Sequence, residues 1–222
     1  NKILFSGEVM PCKQLEIWMK NIPEAQYINL YGPTEITCNC SYYKIPKGVF
    51  PPPEKLPIGI PFPNERILLL DENNKLVTEP ETEAELCVSG TCVALGYYNS
   101  IKTEEVFVQN PLQKAKFERI YRTGDLAKYG NDGLLYYVGR KDTQIKHMGH
   151  RIELGEIEGE ITKHSNITRS CCVFTKNKIS AFYTGKQTEK KDIVSMLKMT
   201  LPTYMIPGDF IYIDEFSLTK NG

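Results

Sequence analysis

Residues 29–35 read NLYGPTE and combine residue types that could bind a nucleotide. Tyr31 ends an apolar run, a Gly-Pro pair turns the backbone, and Thr34 and Glu35 place a hydroxyl beside a carboxylate. These groups could stack on a base, hydrogen-bond a phosphate and hold Mg²⁺. Taken alone, the segment is more typical of an ordinary strand end followed by a polar turn.

Two further polar segments strengthen the nucleotide interpretation. Residues 121–125 read YRTGD and supply a carboxylate, Asp125, on a tight glycine turn that we expect between two strands. A carboxylate accepts hydrogen bonds at both oxygens and therefore suits a ribose diol. Residues 139–153 form the third segment, and the chain has no Rossmann or Walker glycine pattern. Three glycine-anchored polar segments in one chain favour a shared nucleotide site.

The composition is that of an ordinary folded protein. The chain has 222 residues, of which 41% are hydrophobic and 24% charged, enough for one large or two small domains. The 27 basic and 27 acidic residues cancel, so bulk charge favours neither a nucleic-acid nor an anionic-membrane partner. No apolar run approaches the roughly 18 residues of a membrane span. We therefore expect no nucleic-acid partner and no membrane span.

The seven cysteines do not form a recognisable metal or disulfide pattern. Their number is odd and no C-x-x-C pair occurs. A zinc site built from Cys38 and Cys40, or from His147 and His150, would lack the paired spacing of zinc knuckles. We expect reduced, mostly buried thiols in a cytoplasmic protein, with Cys171 and Cys172 packed in an apolar strand.

The hydrophobic pattern predicts a mixed α+β chain in two parts. In the first part we expect buried strands at 2–5 and 27–31, a helix between Pro11 and Pro23, a proline-rich loop at 44–64, and β-structure from 65 to 140 interrupted by a helix at 102–108. The second part is predicted to contain a helix at 153–164, a hairpin through 176–178, a helix at 190–201 and a strand at 210–214. A shift in composition places the boundary at 140–143.

The three polar segments also carry a family resemblance. The strings YGPTE, YRTGD and GRKDTQIKHMGHRIELGEIE occur in this order, and the chain resembles the C-terminal portion of an adenylate-forming, AMP-binding enzyme. It is most similar to the amino-acid adenylation domains of nonribosomal peptide synthetases and to the related D-alanine–carrier protein ligases. The resemblance implies a β-rich, distorted barrel-like remnant of the large subdomain (1–140), a hinge (141–143) and a small α+β lid subdomain (144–222).

The resemblance implies a role for each matching residue. Tyr31 would stack on adenine beside the turn at 6–8, Asp125 would bind both ribose hydroxyls, and Thr34, Glu35 and Arg140 would be the catalytic residues. Thr34 would bind the α-phosphate, Glu35 would hold Mg²⁺, and Arg140 would reach the ribose or the phosphate. The nucleotide-binding set implied in this way is Ser6, Gly7, Glu8, Asn29, Tyr31, Gly32, Thr34, Asp125 and Arg140.

The family uses ATP to form an acyl-adenylate and then transfers the acyl group to a phosphopantetheine thiol, here expected on a carrier protein. Asp142 would be the pivot between the two steps, and Gly149 would lie where the pantetheine arm enters. The substrate pocket would include Leu4, Ser6, Leu30, Cys38 and Asn39. Small and polar groups in this set favour an amino acid with a small or polar side chain. Ser6 replaces the usual Cys of the D-alanine ligases.

Some elements of the family pattern do not occur in these 222 residues. The phosphate-binding loop and the aspartate that binds the substrate amine belong upstream of Asn1, and the closing LTxNGK string ends at Gly222. Lys220 occupies the variable position of that string. Both termini look cut from a longer protein, so we expect the chain alone to be inactive. An acyl-CoA or aryl-CoA synthetase of the same superfamily, or a non-catalytic binding module, are the alternatives.

Overall fold

The computed structural model describes residues 1–216 and divides the chain into two compact units. The N-terminal unit is Asn1–Lys141 and the C-terminal unit is Asp142–Gly222. Lys220 and the rest of the 217–222 segment lie outside the described residues. Within residues 1–216, none of the helices has the length and apolar character that crossing a membrane requires.

The N-terminal unit begins with a four-stranded sheet. Its elements are β1 (Lys2–Phe5), helix α1 (Cys12–Asn21), β2 (Gln26–Tyr31), β3 (Ser41–Lys44) and β4 (Ile60–Pro61). The strand order is β1-β2-β3-β4, with β1 and β2 parallel and the other pairs antiparallel. The prediction of a buried β1 is wrong, because this strand lies at the sheet edge and Leu4 is 55% exposed. Its other face is covered, since Ile3 and Phe5 pack against the cluster that contains Leu15 of α1.

A five-stranded antiparallel sheet completes this unit and curls into a half-barrel. Its elements are β5 (Glu65–Leu70), β6 (Ala84–Gly90), helix α2 (Lys102–Val106), β7 (Phe107–Gln109), β8 (Arg119–Tyr129) and β9 (Leu135–Arg140). The long strand β8 pairs with β6, β7 and β9. The predicted helix at 102–108 is too long by two residues. Phe107 and Val108 instead pair with Tyr121 and Ile120 of β8, because the β-ladder satisfies their backbone groups.

One hydrophobic core joins the two sheets of the N-terminal unit. Tyr31 and Ile36 from the first sheet region share a buried cluster with Leu86, Tyr121 and Leu135 of the second. The proline-rich segment 44–64 is mostly irregular, as predicted, but contains β4. The segment is fixed to the second sheet by a bridge in which Gly59 pairs with Leu135. This shared core places the ends of β2 and β9 beside the middle of β8.

The C-terminal unit contains a hairpin, two helices and a three-stranded sheet. Its elements are β10 (Gln144–His147), β11 (His150–Glu153), α3 (Leu154–Ile161), β12 (Ile167–Thr175), β13 (Lys178–Gly185), α4 (Lys190–Leu197) and β14 (Asp209–Tyr212). β12 and β13 are antiparallel, and β14 joins β13 in parallel. The predicted hairpin through 176–178 is confirmed, with Lys176 and Asn177 in the left-handed region.

The sequence prediction placed several boundaries of this unit incorrectly. It missed the β10–β11 hairpin and began the following helix at Glu153, which instead ends β11. α3 ends at Ile161 rather than at 164, and β14 spans 209–212 rather than 210–214. α4 ends at Leu197 rather than Leu201, and residues 198–200 form turns. Leu201 itself precedes Pro202, a position that is disfavoured in helical conformation.

The core of the C-terminal unit is almost entirely apolar. Ile157 and Ile161 of α3 and Ile193 and Leu197 of α4 are 0% exposed and pack in one cluster with residues of the sheet. Cys172 lies in this cluster, which confirms its predicted packing role, whereas Cys171 is half-buried. All seven cysteines are free thiols, but only three of them are buried, so the prediction of mostly buried thiols is wrong.

Candidate active site

The first and second polar segments meet in the N-terminal unit. Tyr31, the last residue of β2, donates its hydroxyl to Oδ2 of Asp125 on β8, 94 residues further along the chain. Arg140 at the end of β9 donates from Nη1 to Oδ1 of the same carboxylate, at 2.8 Å. Tyr31 is 7% exposed and Asp125 is 3% exposed. The structure therefore brings three of the predicted site residues into direct contact.

The backbone around Asp125 differs from the predicted turn between strands. Gly124 has a left-handed φ of +70°, but it lies inside the eleven-residue strand β8. In the pairing with β6 the register shifts between the Glu85–Leu126 and Cys87–Arg122 pairs, so Gly124 lies in an irregularity of this ladder. Thr123 stabilises this geometry, because its Oγ1 accepts from the Asp125 N–H at 3.0 Å and donates to the Leu86 carbonyl at 2.6 Å.

Burial and charge keep the Tyr31 phenol protonated. Burial, assisted by the negative charge and the hydrogen bond of Asp125, raises the pKa of Tyr31 well above its usual range. The phenol is therefore a donor to the carboxylate at neutral pH. A carboxylate has about four lone-pair positions, so acceptance from Tyr31 and Arg140 leaves capacity for a diol.

Glu35 and Thr34 are neighbours with opposite environments. The two residues begin a single 3₁₀ turn, Thr34–Ile36, in which Thr34 is exposed and Glu35 is 7% exposed. Oε1 of Glu35 accepts a hydrogen bond from the hydroxyl of Tyr97, and its backbone carbonyl accepts from the Ala94 N–H at 2.9 Å. The segment around Tyr97 thus fixes both the side chain and the main chain of Glu35.

Gly32 allows the chain to fold closely at this turn. A Cβ on Gly32 would lie 2.5 Å from Asn39 Cα and 2.6 Å from the Cys38 carbonyl oxygen. No side chain fits such a contact without moving the backbone. The glycine therefore brings Cys38 and Asn39 against the strand end that carries Tyr31.

Tyr97 contacts Glu35 in the candidate site but was not predicted from the sequence. It lies 62 residues from Glu35 and follows no motif that was singled out. The pair Tyr97-Tyr98 after Gly96 could have marked an aromatic candidate, but not which ring faces inward. In the structure Tyr98 is 94% exposed, whereas Tyr97 is 37% exposed and contacts Glu35.

The donor chemistry of Glu35 fits magnesium. Within residues 1–216 no group of three or more His, Cys, Asp or Glu side chains could hold a metal ion. Mg²⁺ is commonly bound by one or two carboxylates together with phosphates and water, rather than by a cage of protein ligands. A single carboxylate whose position is fixed is therefore sufficient for a magnesium ion that arrives with a nucleotide.

Three of the five predicted pocket residues contact one another. Ser6 Oγ donates to Asn39 Oδ1 at 2.7 Å, and Asn39 Nδ2 lies 3.2 Å from the Cys38 sulfur. Cys38 is exposed and has a left-handed φ of +87°. Leu4 pairs in register with Ile28 on the parallel strand β2, so Leu4 and Leu30 lie on the same sheet face.

The other residues that were predicted to bind the nucleotide lie in two different environments. Ser6, Gly7 and Glu8 form an exposed turn after β1. Asn29 is instead buried, and its Nδ2 donates to the Pro57 carbonyl at 2.8 Å. Asn29 thereby anchors the proline-rich segment to β2.

The two predicted residues of the C-terminal unit lie at its N-terminal end. Asp142 Oδ1 accepts from the Gln144 N–H at 3.1 Å, which shapes the chain that enters β10. Gly149 is exposed in the turn of the β10–β11 hairpin, where Met148 and Gly149 have φ values of +52° and +79°. His150 beside this turn stacks on Tyr204 with ring centroids 3.7 Å apart.

The chain is similar in sequence to several known enzymes. Residues 1–98 match the family profile described as AMP-binding enzyme. The chain is 36% identical to bacitracin synthase 1 of Bacillus licheniformis over 228 aligned residues, covering 100% of this chain and 4% of that protein. It is 34% identical to the L-proline--[L-prolyl-carrier protein] ligase of Streptomyces coelicolor, covering 99% of this chain and 42% of the ligase.

A solved structure shows the same fold. The chain superimposes with a TM-score of 0.81 and 27% identity on holo-PA1221, a nonribosomal peptide synthetase protein with adenylation and carrier domains bound to a vinylsulfonamide inhibitor. The match covers 100% of this chain and 38% of that one. The chain thus spans less than half of each of these relatives. It is similar over residues 1–98 to the AMP-binding enzyme family, and over its length to part of a nonribosomal peptide synthetase protein that contains an adenylation domain.

Proposed function

We propose that the protein containing this chain activates an amino acid with MgATP. The substrate carboxylate attacks the α-phosphate, forms an aminoacyl-adenylate and releases pyrophosphate. The aminoacyl group is then transferred to the phosphopantetheine thiol of a carrier protein. The observation that carries the proposal is the contact of Tyr31 with Asp125, which joins two of the family segments across 94 residues of chain.

The proposed nucleotide contacts start from this buried pair. Tyr31 stacks on adenine, Asp125 binds the ribose hydroxyls, and Arg140 reaches the ribose or the α-phosphate. Because Asp125 is only 3% exposed, ribose binding requires Tyr31 or Arg140 to share the carboxylate or to move. Thr34 is exposed and can bind the α-phosphate without such a movement.

Glu35 is the proposed magnesium ligand. When bound, the ion neutralises charge on the phosphates as pyrophosphate leaves. Glu35 contributes one carboxylate, and Tyr97 and Ala94 hold it in place. The pocket around Ser6, Cys38 and Asn39 supports a small or polar amino-acid side chain, since the contacts among these residues leave polar atoms at the wall.

The C-terminal unit is proposed to act in the transfer step. The two compact units divide between Lys141 and Asp142, which supports a pivot at Asp142. Gly149 lies at an exposed hairpin turn, which supports access for a pantetheine arm. The free cysteines support the further proposal of a cytoplasmic location.

Pyrophosphate exchange tests the proposal directly. The full-length gene product and the 222-residue chain are assayed with a panel of amino acids, fatty acids and aryl acids. We expect exchange by the full-length protein with small or polar amino acids, and none by the chain alone. If the full-length protein catalyses exchange with fatty or aryl acids but not with amino acids, it is an acyl-CoA or aryl-CoA synthetase. If it catalyses exchange with none of the acids, it is a non-catalytic module. Robust exchange by the isolated chain contradicts its proposed inactivity.

A further inference from the structure

Tyr97 is held firmly in the position from which it contacts Glu35. Its backbone N–H donates to Thr103 Oγ1 at 2.8 Å, and the same hydroxyl donates to the Tyr97 carbonyl at 3.1 Å. The ring packs edge-on against Phe107, with centroids 5.5 Å apart. Phe107 packs in turn against Tyr121, at 4.9 Å. The phenol is therefore constrained by the α2 helix, by β7 and by the strand that carries the YRTGD segment.

The contact between Tyr97 and Glu35 is a donor–carboxylate bond rather than a packing contact. The Tyr97 hydroxyl donates to Oε1 of Glu35, so the contact joins a neutral donor to a carboxylate oxygen. Such a bond restricts the carboxylate to one orientation, because rotation about its terminal bond would break it.

The orientation of a carboxylate ligand affects the binding of magnesium more than that of most cations. Mg²⁺ requires near-ideal octahedral geometry at about 2.0–2.1 Å, so a ligand that rotates freely loses affinity. Groups that hydrogen-bond to metal ligands typically change metal affinity by about 10–100-fold when they are removed. A neutral donor orients the carboxylate without cancelling its charge.

We infer that Tyr97 is a positioning residue that orients Glu35 for Mg²⁺ bound together with ATP. The inference rests on the proposed assignment of Glu35 as the magnesium ligand. A purely structural role, in which Tyr97 only satisfies a buried carboxylate, makes a different prediction. It implies a loss of stability when the hydroxyl is removed, with unchanged metal affinity in the folded protein.

Two conservative variants of the full-length gene product separate these roles. Tyr97→Phe removes the hydroxyl and keeps the ring against Phe107, while Tyr98→Phe removes a hydroxyl from the adjacent, 94% exposed ring as the matched control. Mn²⁺ binding is measured by electron paramagnetic resonance in the presence of α,β-methylene-ATP. Binding of the analogue without metal and the thermal unfolding midpoint are measured alongside.

We expect Tyr97→Phe to weaken Mn²⁺ binding by about 10–100-fold, with little change in metal-free binding of the analogue. Tyr98→Phe should leave both unchanged. If Tyr97→Phe does not fold, Thr103→Val replaces it, because it removes the hydroxyl that holds the Tyr97 backbone; a several-fold weakening is then expected.

Glu35→Gln distinguishes failure of the inference from failure of the proposed function. Weakened Mn²⁺ binding in Glu35→Gln but not in the Tyr97 or Thr103 variant overturns the positioning role and leaves the magnesium assignment intact. Unchanged Mn²⁺ binding in Glu35→Gln overturns the magnesium assignment, and the positioning role with it.

Discussion

Buried polar groups are distributed unequally between the two units. Of the ten polar or charged residues that are buried within residues 1–216, eight lie in the N-terminal unit, including the carboxylates Glu35, Glu85 and Asp125. The C-terminal unit buries only Gln144 and Ser170 among its described residues. Burying a charge is unfavourable unless it is paired and hydrogen-bonded. The N-terminal unit therefore keeps buried carboxylates in fixed positions, whereas the described part of the C-terminal unit is stabilised mainly by apolar packing.

The same contrast separates the proposed functional positions. In the N-terminal unit Tyr31, Glu35 and Asp125 are part of the core, so a change in the site also changes the stability of the unit. In the C-terminal unit Asp142 and Gly149 are exposed. Function and stability should consequently be separable in the second unit and coupled in the first.

The largest effect on stability should come from Asp125→Ala. This change removes the carboxylate partner of Arg140, whose side chain is only 15% exposed. Loss of one member of a buried pair costs about 3–5 kcal/mol in free energy of unfolding. Urea unfolding followed by Trp18 fluorescence measures this loss, because the single tryptophan lies in the N-terminal unit.

Glu105→Ala on the exposed face of α2 serves as the control for Asp125. It removes a carboxylate of the same unit without affecting the core, and we expect a change within about 0.5 kcal/mol. If Asp125→Ala lowers the free energy of unfolding by less than about 1 kcal/mol, the charges of the site can be changed without destabilising the N-terminal unit. The proposed coupling between the site and the stability of this unit would then be wrong.

The second prediction tests whether the units unfold separately. Ile157→Ala removes a side chain that is 0% exposed in the core of the C-terminal unit and should cost about 3 kcal/mol there. Amide hydrogen exchange should accelerate in the C-terminal unit and stay unchanged in residues 1–141. Met199→Ala is the control, since that side chain is 78% exposed. Equal acceleration in both units would contradict their independence.

Local patterns in the sequence predicted most of the helices, strands and turns. The turns at 131–133 and 176–178 lie between paired strands, because turn chemistry and strand patterning act over a few residues. The contact of Tyr31 with Asp125 spans 94 residues, and it was expected from the motif strings rather than from any local pattern. The nucleotide roles of the same residues remain predictions.

Features that depend on distant partners could not be predicted in this way. β1 has the apolar residues of a buried strand, but its position at the sheet edge exposes Leu4. Phe107 continues a helical pattern, yet pairing with Tyr121 makes it a strand residue. Tyr97 reaches Glu35 across 62 residues, and no local signal selects it over Tyr98. Each case is decided by the tertiary neighbour rather than by the segment itself.

Gly149→Ala should have a smaller effect that separates function from stability. Gly149 has a φ of +79° with no atom within 4 Å of an added Cβ, so the cost is conformational, about 1 kcal/mol. In the full-length gene product we expect reduced loading of the carrier protein and unchanged pyrophosphate exchange. Gly155→Ala in α3 is the control, because a helical alanine is favoured there by about 0.5–1 kcal/mol. Equal losses in both assays would argue against a role confined to transfer.

The smallest expected effect is the acid dependence of the C-terminal unit. Lys178 Nζ lies 2.6 Å from Asp209 Oδ2 at the edge of β14, and this hydrogen bond lowers the pKa of Asp209. Because the folded pKa is below the unfolded value of about 3.9, the pair stabilises the fold at neutral pH. That stabilisation is lost as the pH falls through the folded pKa.

Asp209→Asn should therefore lower the urea midpoint of the C-terminal unit slightly at pH 7, and the difference from wild type should shrink as the pH falls through the lowered pKa of Asp209. Hydrogen exchange at several urea concentrations gives the midpoint at each pH. Glu215→Gln removes another exposed carboxylate of the same unit and should not reproduce this pattern. A difference that stays the same as the pH is lowered would mean that Asp209 acts through packing rather than charge. In that case even an exposed carboxylate of the C-terminal unit would stabilise it by packing rather than by charge. The contrast between charged and apolar stabilisation of the two units would then also hold at their surfaces.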